Sequence, residues 1–194
     1  MITLEINKAQ LTALVEAAHK AKKKFRPELA GAINQVAKKT KLEMGRDIRG
    51  TIAINKAESE KPLSIRATAT NENLEAIVTL KKTPRLGLRH FGAKQDKRGV
   101  TYRIGKSGGR KRVNGAFQGP KPGAVRVKWK GNVFKRAGKG RLPIVQLKGV
   151  SAYGAYKKND LEGPQVKEVE AELVKQIDRR IKLNILRASG LVKT

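Results

Sequence analysis

Apolar positions recur at three- and four-residue steps near both ends of the chain and at two-residue steps between them. Ile2, Leu4 and Ile6 alternate with Thr3 and Glu5, a short strand. Leu11, Leu14, Val15, Ala18 and Phe25 then fall on one face of a helix. Pro27 opens a second helix, at a position where a missing N–H costs little. Its stripe is Leu29, Ile33, Val36, Thr40, Met44 and Ile48, and Gly50 stops it. Residues 63–69 (LSIRATA) and 74–80 (LEAIVTL) alternate as two strands joined by a polar turn at Asn71 to Asn73. Over residues 164–188, Val166, Val169, Leu173, Ile177, Ile181 and Ile185 predict a long amphipathic helix. Its acids come first (Glu168, Glu170, Glu172) and its bases last (Arg179, Arg180, Lys182, Arg187), as the helix dipole favours, and Gly190 is its stop.

The fold class this predicts is α+β. Two N-terminal helices and the C-terminal amphipathic helix pack on a small, mainly antiparallel sheet, with a basic, glycine-rich β-arm and loop module between them. The chain divides into residues 1–80 (helices and strand hairpin), 81–158 (basic module) and 159–194 (closing helix), forming one structural domain with an extended arm.

Charge sharpens this division. The 194 residues carry a formal net charge of +28. Residues 81–158 hold 23 of the 44 Lys and Arg, against Asp96 as the one acid, and 14 of the 19 glycines. Such an object repels itself unless a polyanion or an assembly compensates it; nucleic acid is the first polyanion to consider and an anionic membrane surface the second. The opening MITLEINKAQ has no apolar core of signal-peptide length, and no apolar run approaches the ~18 residues of a membrane span. The chain has no cysteine, which removes disulfides and thiolate zinc sites and suits a reducing compartment.

Gly105-Lys106-Ser107 imitates a nucleotide-binding loop. That loop needs a glycine where this chain has Val100, and a helix afterwards where it has GGRKRVNG, so the match fails. His19 is a polar-face helix residue, and His90 has Asp96 as its one acidic sequence neighbour, a poor start for a metal-dependent nuclease. Glu168 and Glu172, one turn apart with Lys175 and Arg179, form a solvated charged face.

Polyanion contact fits better. In AVRVKWK (124–130), Val125, Val127 and Trp129 alternate with Arg126, Lys128 and Lys130, so a strand would bury one face and display cations on the other. VTYRI (100–104) repeats this with Arg103. Between them Lys106, Arg110, Lys111, Arg112 and Lys121 lie among glycines and Pro120 and Pro122, a loop that packs no core but lays cations along phosphates. Lys135, Arg136, Lys139 and Arg141 extend the set. The eight aromatics form no stacking platform in sequence, and no zinc-finger or RNA-recognition signature is present, which leaves sequence-independent backbone contact.

Several words then occur in a particular order: Leu88, Phe91 and Gly92; Gly99-Val100; Ala116-Phe117; Val133-Phe134 with Arg136; Leu142-Pro143-Ile144; and Gly149 with Ser151. In this order, with the alanine-rich AINQVAKKTKLEMGRDI and the closing helix, the chain resembles the minor tail protein Z family of long-tailed bacteriophages. The family's Gly-Pro-Ser stands here as Gly149-Val150-Ser151. The resemblance implies a non-enzymatic virion protein, formed in the host cytoplasm, that completes the tail at its head-proximal end for head–tail joining. Its partners would be the tail terminator, tail tube and neck or connector proteins. Packaged double-stranded DNA would lie nearby, and copies would form a ring, six-fold by analogy. No cofactor, metal, membrane or small-molecule substrate is implied. In the Leu-Pro-Ile word, Pro143 fixes a turn and Ile144 and Val145 enter the core. The alternatives are a free, sequence-independent nucleic-acid-binding protein, DNA-compacting or ribosome-associated, and a nuclease built on His90 and Asp96.

Overall fold

The computed structural model describes residues 2–6, 25–120 and 129–188 and is α+β. The helix expected through Leu11, Leu14, Val15 and Ala18, with His19, lies outside the described residues, as does Gly190. Two compact units are present: residues 1–44, 63–81 and 160–194 form one, and residues 45–62 and 82–159 the other.

The first unit contains strands β1 (Ile2–Ile6), β2 (Leu63–Ala67) and β3 (Ala76–Leu80), most of helix α1 (Phe25–Thr51) and helix α4 (Glu162–Ala188). Phe25 lies in the first turn of α1, as does Pro27, where no intrahelical N–H bond is lost. The three strands are antiparallel with β3 in the centre. Paired along both edges, β3 is also buried on both faces: Val78, Thr79 and Leu80 are all fully buried. Thr79 is buried without penalty because its hydroxyl lies 2.8 Å from that of Ser64, its register partner.

The α1 stripe behaves as its spacing demands. Leu29, Ile33, Val36, Thr40, Met44 and Ile48 are all buried, each large aliphatic member contributing about 1.5–3 kcal/mol. Val169, Leu173 and Ile177 of α4 are buried likewise. Lys39 on α1 reaches Glu172 on α4 at 2.7 Å, and Arg180 reaches Glu28 at 2.8 Å. Asn34 holds the chain beyond β2 through paired bonds, its Nδ2 donating to the Ala69 carbonyl and its Oδ1 accepting from the Ala69 N–H.

The second unit takes the end of α1, the short helices α2 (Lys56–Glu60) and α3 (Ala152–Lys158), a 3-10 turn at Leu88–Phe91, and six strands. These are β4 (Lys94–Asp96), β5 (Gly99–Tyr102), β6 (Lys111–Asn114), β7 (Ala116–Gln118), β8 (Val133–Arg136) and β9 (Ile144–Gln146). They form two antiparallel sheets, β4-β5-β6 and β7-β8-β9. The stretch read from sequence as a loop between cationic strands therefore carries β6 and β7, with Ala116 buried. Short strands escape a period-2 reading when their neighbours are glycines and cations.

The ordered words of the sequence meet in this unit. Leu88 and Phe91 are buried in the 3-10 turn, and Gly92 caps it at φ +61°. The Phe91 ring lies on Gly149: a Cβ there would sit 2.5 Å from the ring. Ser151 caps α3, its Oγ accepting the Gly154 N–H at 3.0 Å, which accounts for Gly149-Val150-Ser151 as a close approach followed by a helix start. Ile144 and Val145 do not enter the core as expected. Leu142 is 72% and Val145 53% exposed, and Ile144 is half-buried. Val145 shares with its register partner Lys135 the face turned to solvent.

Candidate nucleic-acid interface

Two cationic hairpins of the second unit carry the sequence-predicted contacts. In β4-β5-β6, residues in register share a face, so Lys94, Thr101 and Arg112 form one row across the sheet. Arg112 donates diagonally across β5 to Asp96 at 2.8 Å. Asp96 also accepts the N–H groups of Arg98 and Gly99, and these bonds, the Arg98 one foremost, hold its carboxyl below the usual range. Gly99 is required twice over: its φ is +151°, and a Cβ would meet the Val113 carbonyl at 2.2 Å. Arg110 donates to the carbonyls of Gly92 (2.6 Å) and Thr101 (3.0 Å), tying the 3-10 turn to the sheet. Arg103 donates to the Gly105 carbonyl at 3.3 Å.

In the β8–β9 hairpin, Arg136 donates to the Arg141 carbonyl at 2.6 Å and lies 5.7 Å over the Phe117 ring. Phe117 and Phe134, in register, stack at 6.1 Å, and Trp129 lies 5.1 Å from Phe134. The aromatics thus cluster where the sequence suggested none, because strand register joins rings distant along the chain. The three rings are half-buried against one another. Residues 124–128 of the expected AVRVKWK strand lie outside the described residues; Trp129 and Lys130 belong to a turn, with Lys130 at φ +43°.

All the described candidates, Arg103, Lys106, Arg110, Lys111, Arg112, Lys130, Lys135, Arg136, Lys139 and Arg141, are exposed, while Lys121, Arg126 and Lys128 lie outside the described residues. They are not equivalent. Arg103, Arg110, Arg112 and Arg136 hold the unit's own carbonyls or Asp96, as above. Among the described residues, the side chains of Lys106, Lys111, Lys130, Lys135, Lys139 and Arg141 meet no hydrogen-bond or ion-pair partner and present their full charge outward. Sequence reasoning passed over Lys94, Lys97 and Arg98, all exposed at the β4–β5 hairpin. The charge imbalance of residues 81–158 was the signal that contained them.

His90 does not pair with Asp96. Its Nε2 accepts from Arg89 Nε at 2.9 Å, and its Nδ1 lies 3.5 Å from Glu58, beside a cavity of about 340 Å³. Burial, opposed by Glu58 and reinforced by Arg89 and Lys61, lowers its pKa. A neutral ring with Nε2 already accepting has no lone pair for substrate, so the Glu58–His90–Arg89 chain positions Arg89, which also holds the Lys130 carbonyl. Among the described residues no group of His, Asp and Glu could hold a metal ion, and no helix is long and apolar enough to cross a membrane.

The family model of prophage minor tail protein Z matches residues 4–189. The chain belongs to that family. Neither the curated proteins nor the solved structures hold a match. The protein is thus a structural component of a phage tail, a family in which enzymatic chemistry is unlooked-for, and it assembles with other tail components.

Proposed function

We propose that this minor tail protein completes the tail at its head-proximal end, as a ring of copies whose cationic hairpins contact packaged duplex DNA without reading sequence. Tail tube, terminator and neck subunits are its protein neighbours, and it joins them after synthesis in the host cytoplasm. The observation that carries the reading is the unopposed charge of residues 81–158, nearly all of them in the second unit: 23 basic residues and one acid, with the described candidates all exposed. An isolated tail subunit gains nothing from such self-repulsion; a polyanion against it converts the repulsion into affinity through counterion release.

The test is the salt dependence of duplex binding. Changing Lys106, Lys111, Lys135 and Lys139 to Glu removes cations that make no internal contact, so the fold is untouched. Each lost phosphate contact should reduce the log–log slope by about 0.9. A slope equal to wild type would refute the hairpins as the contact. Arg110 and Arg112 are poor choices, since they hold Gly92, Thr101 and Asp96.

A further inference from the structure

The stretch Gly105 to Gly109, which fails as a nucleotide loop, lines a cavity of about 520 Å³ in the second unit. The chain after α1 forms one wall: Ala53 donates to the Ile104 carbonyl at 2.7 Å, and Lys106 donates to the Thr51 carbonyl at 3.0 Å. Ile52, Ile104, Val150 and Ala155 make the cavity aliphatic, and Tyr102 adds a ring. Lys111 and Lys158 stand among its lining residues, both exposed, and no Asp or Glu does.

We propose that this cavity docks an apolar side chain from an acidic segment of a neighbouring tail protein, with Lys111 and Lys158 engaging the carboxylates beside it. An aliphatic wall inside a cationic rim selects an apolar anchor between acids. A nucleobase would match the charge but not the wall, because a base needs polar partners for its edge. Of the lining's polar side chains, the Thr51 hydroxyl and an Asn159 amide N–H are already given to the Ile48 and Ala155 carbonyls, which leaves Ser107 and the Asn159 oxygen against four aliphatic side chains. A second copy of this chain fits poorly. Leu42 has Lys38 and Arg46 one turn to either side, Leu142 follows Arg141, and Val145 faces Lys135, so each would bring cations to a cationic rim. Val174, with Glu170 and Asp178 one turn away, is the competing anchor a second copy could offer. The proposal rests on the reading that the protein sits among tail subunits, and it adds the site and the chemistry of one contact.

The experiment uses the full chain and three labelled probes in fluorescence anisotropy. One is a short synthetic peptide of Glu and Asp around a Leu-Phe pair, the second replaces that pair with Ser-Ser, and the third is a short duplex. The Leu-Phe peptide should bind at least about tenfold more tightly than the Ser-Ser peptide, the return from burying one large apolar side chain. Ile104→Ser should abolish that preference while leaving duplex binding at the wild-type level. Val150→Ser repeats the test should Ile104→Ser fold poorly. Equal binding of the two peptides, or none, would overturn the cavity proposal, and unchanged duplex binding in the same samples would leave the DNA reading standing. Loss of duplex binding alone would fall on the DNA reading instead. Self-association by light scattering that disappears in both Ile104→Ser and Val174→Ser would overturn the proposal in favour of a second copy.

Discussion

Replacing Gly149 with Ala should cost the second unit a large part of its stability for one methyl group. The added Cβ would stand 2.5, 3.0 and 3.0 Å from three carbons of the Phe91 ring, where ordinary carbon contacts lie near 3.5–4.0 Å. Phe91 is 1% exposed, so its ring has nowhere to turn. Moving the backbone instead would break the bond from Gly149 N–H to the Leu86 carbonyl, 2.7 Å, and displace the Ser151 cap of α3. Overpacking of this kind costs about 1–3 kcal/mol. For a body of roughly 100 residues each 1 kcal/mol lowers Tm by about 4–8 °C. Trp129 is the chain's one tryptophan and belongs to the same unit, so its fluorescence during urea unfolding reads the loss directly. Gly109→Ala is the control. A Cβ there meets nothing within 4 Å, and the change should leave stability level or raise it by about 0.4–1 kcal/mol through the unfolded chain. Phe91→Leu in the Gly149→Ala background should restore part of the loss, a coupling that a double-mutant cycle reports. Wild-type stability for Gly149→Ala, or equal effects at Gly149 and Gly109, would refute the packing argument.

Other outcomes follow from the same contacts. Arg110→Lys keeps the charge but shortens the side chain whose one nitrogen, Nη2, reaches both Gly92 and Thr101, so the second unit should lose about 1 kcal/mol while the DNA salt slope is unchanged. His90 has a folded pKa below its unfolded value of 6.5, so the unfolded chain takes up the proton first. The stability this gives is present above pH 6.5 and lost as pH falls toward the folded pKa; His90→Gln should flatten that acid-side slope in urea midpoints measured across pH. Leu142→Ser and Val145→Ser should change stability by less than about 0.5 kcal/mol, since both side chains already face solvent, and thermal melts would show it.

The long helices were legible because a stripe sustained over many turns leaves one packing solution. Every member of the Leu29-to-Ile48 series is buried, and so are Val169, Leu173 and Ile177. The strands at 63–67 and 76–80 were legible from alternation for the same reason. Three-residue strands such as β4, β7 and β9 leave no such trace, since one alternation is indistinguishable from chance. Val145 shows the consequence: a valine after Leu-Pro-Ile looks like core until register places it beside Lys135. At the candidate interface the cations were visible as composition, but their division was not. Arg110 differs from Lys111 through backbone carbonyls at Gly92 and Thr101, and those acceptors have no signature in the residue types. In sequence His90 has Asp96 as its acidic neighbour, whereas helix α2 brings Glu58 to it. Contacts across such distances belong to topology.

The proposed role is that of a fixed, ring-forming part of the tail's head-proximal end. Absolute quantification by mass spectrometry of purified particles, with tube and capsid subunits as internal standards, tests it most directly. The account predicts a small constant copy number, one ring per particle, independent of tail length. Absence from particles, with the protein recovered on cellular DNA or ribosomes, or a copy number that scales with the tube, would contradict it.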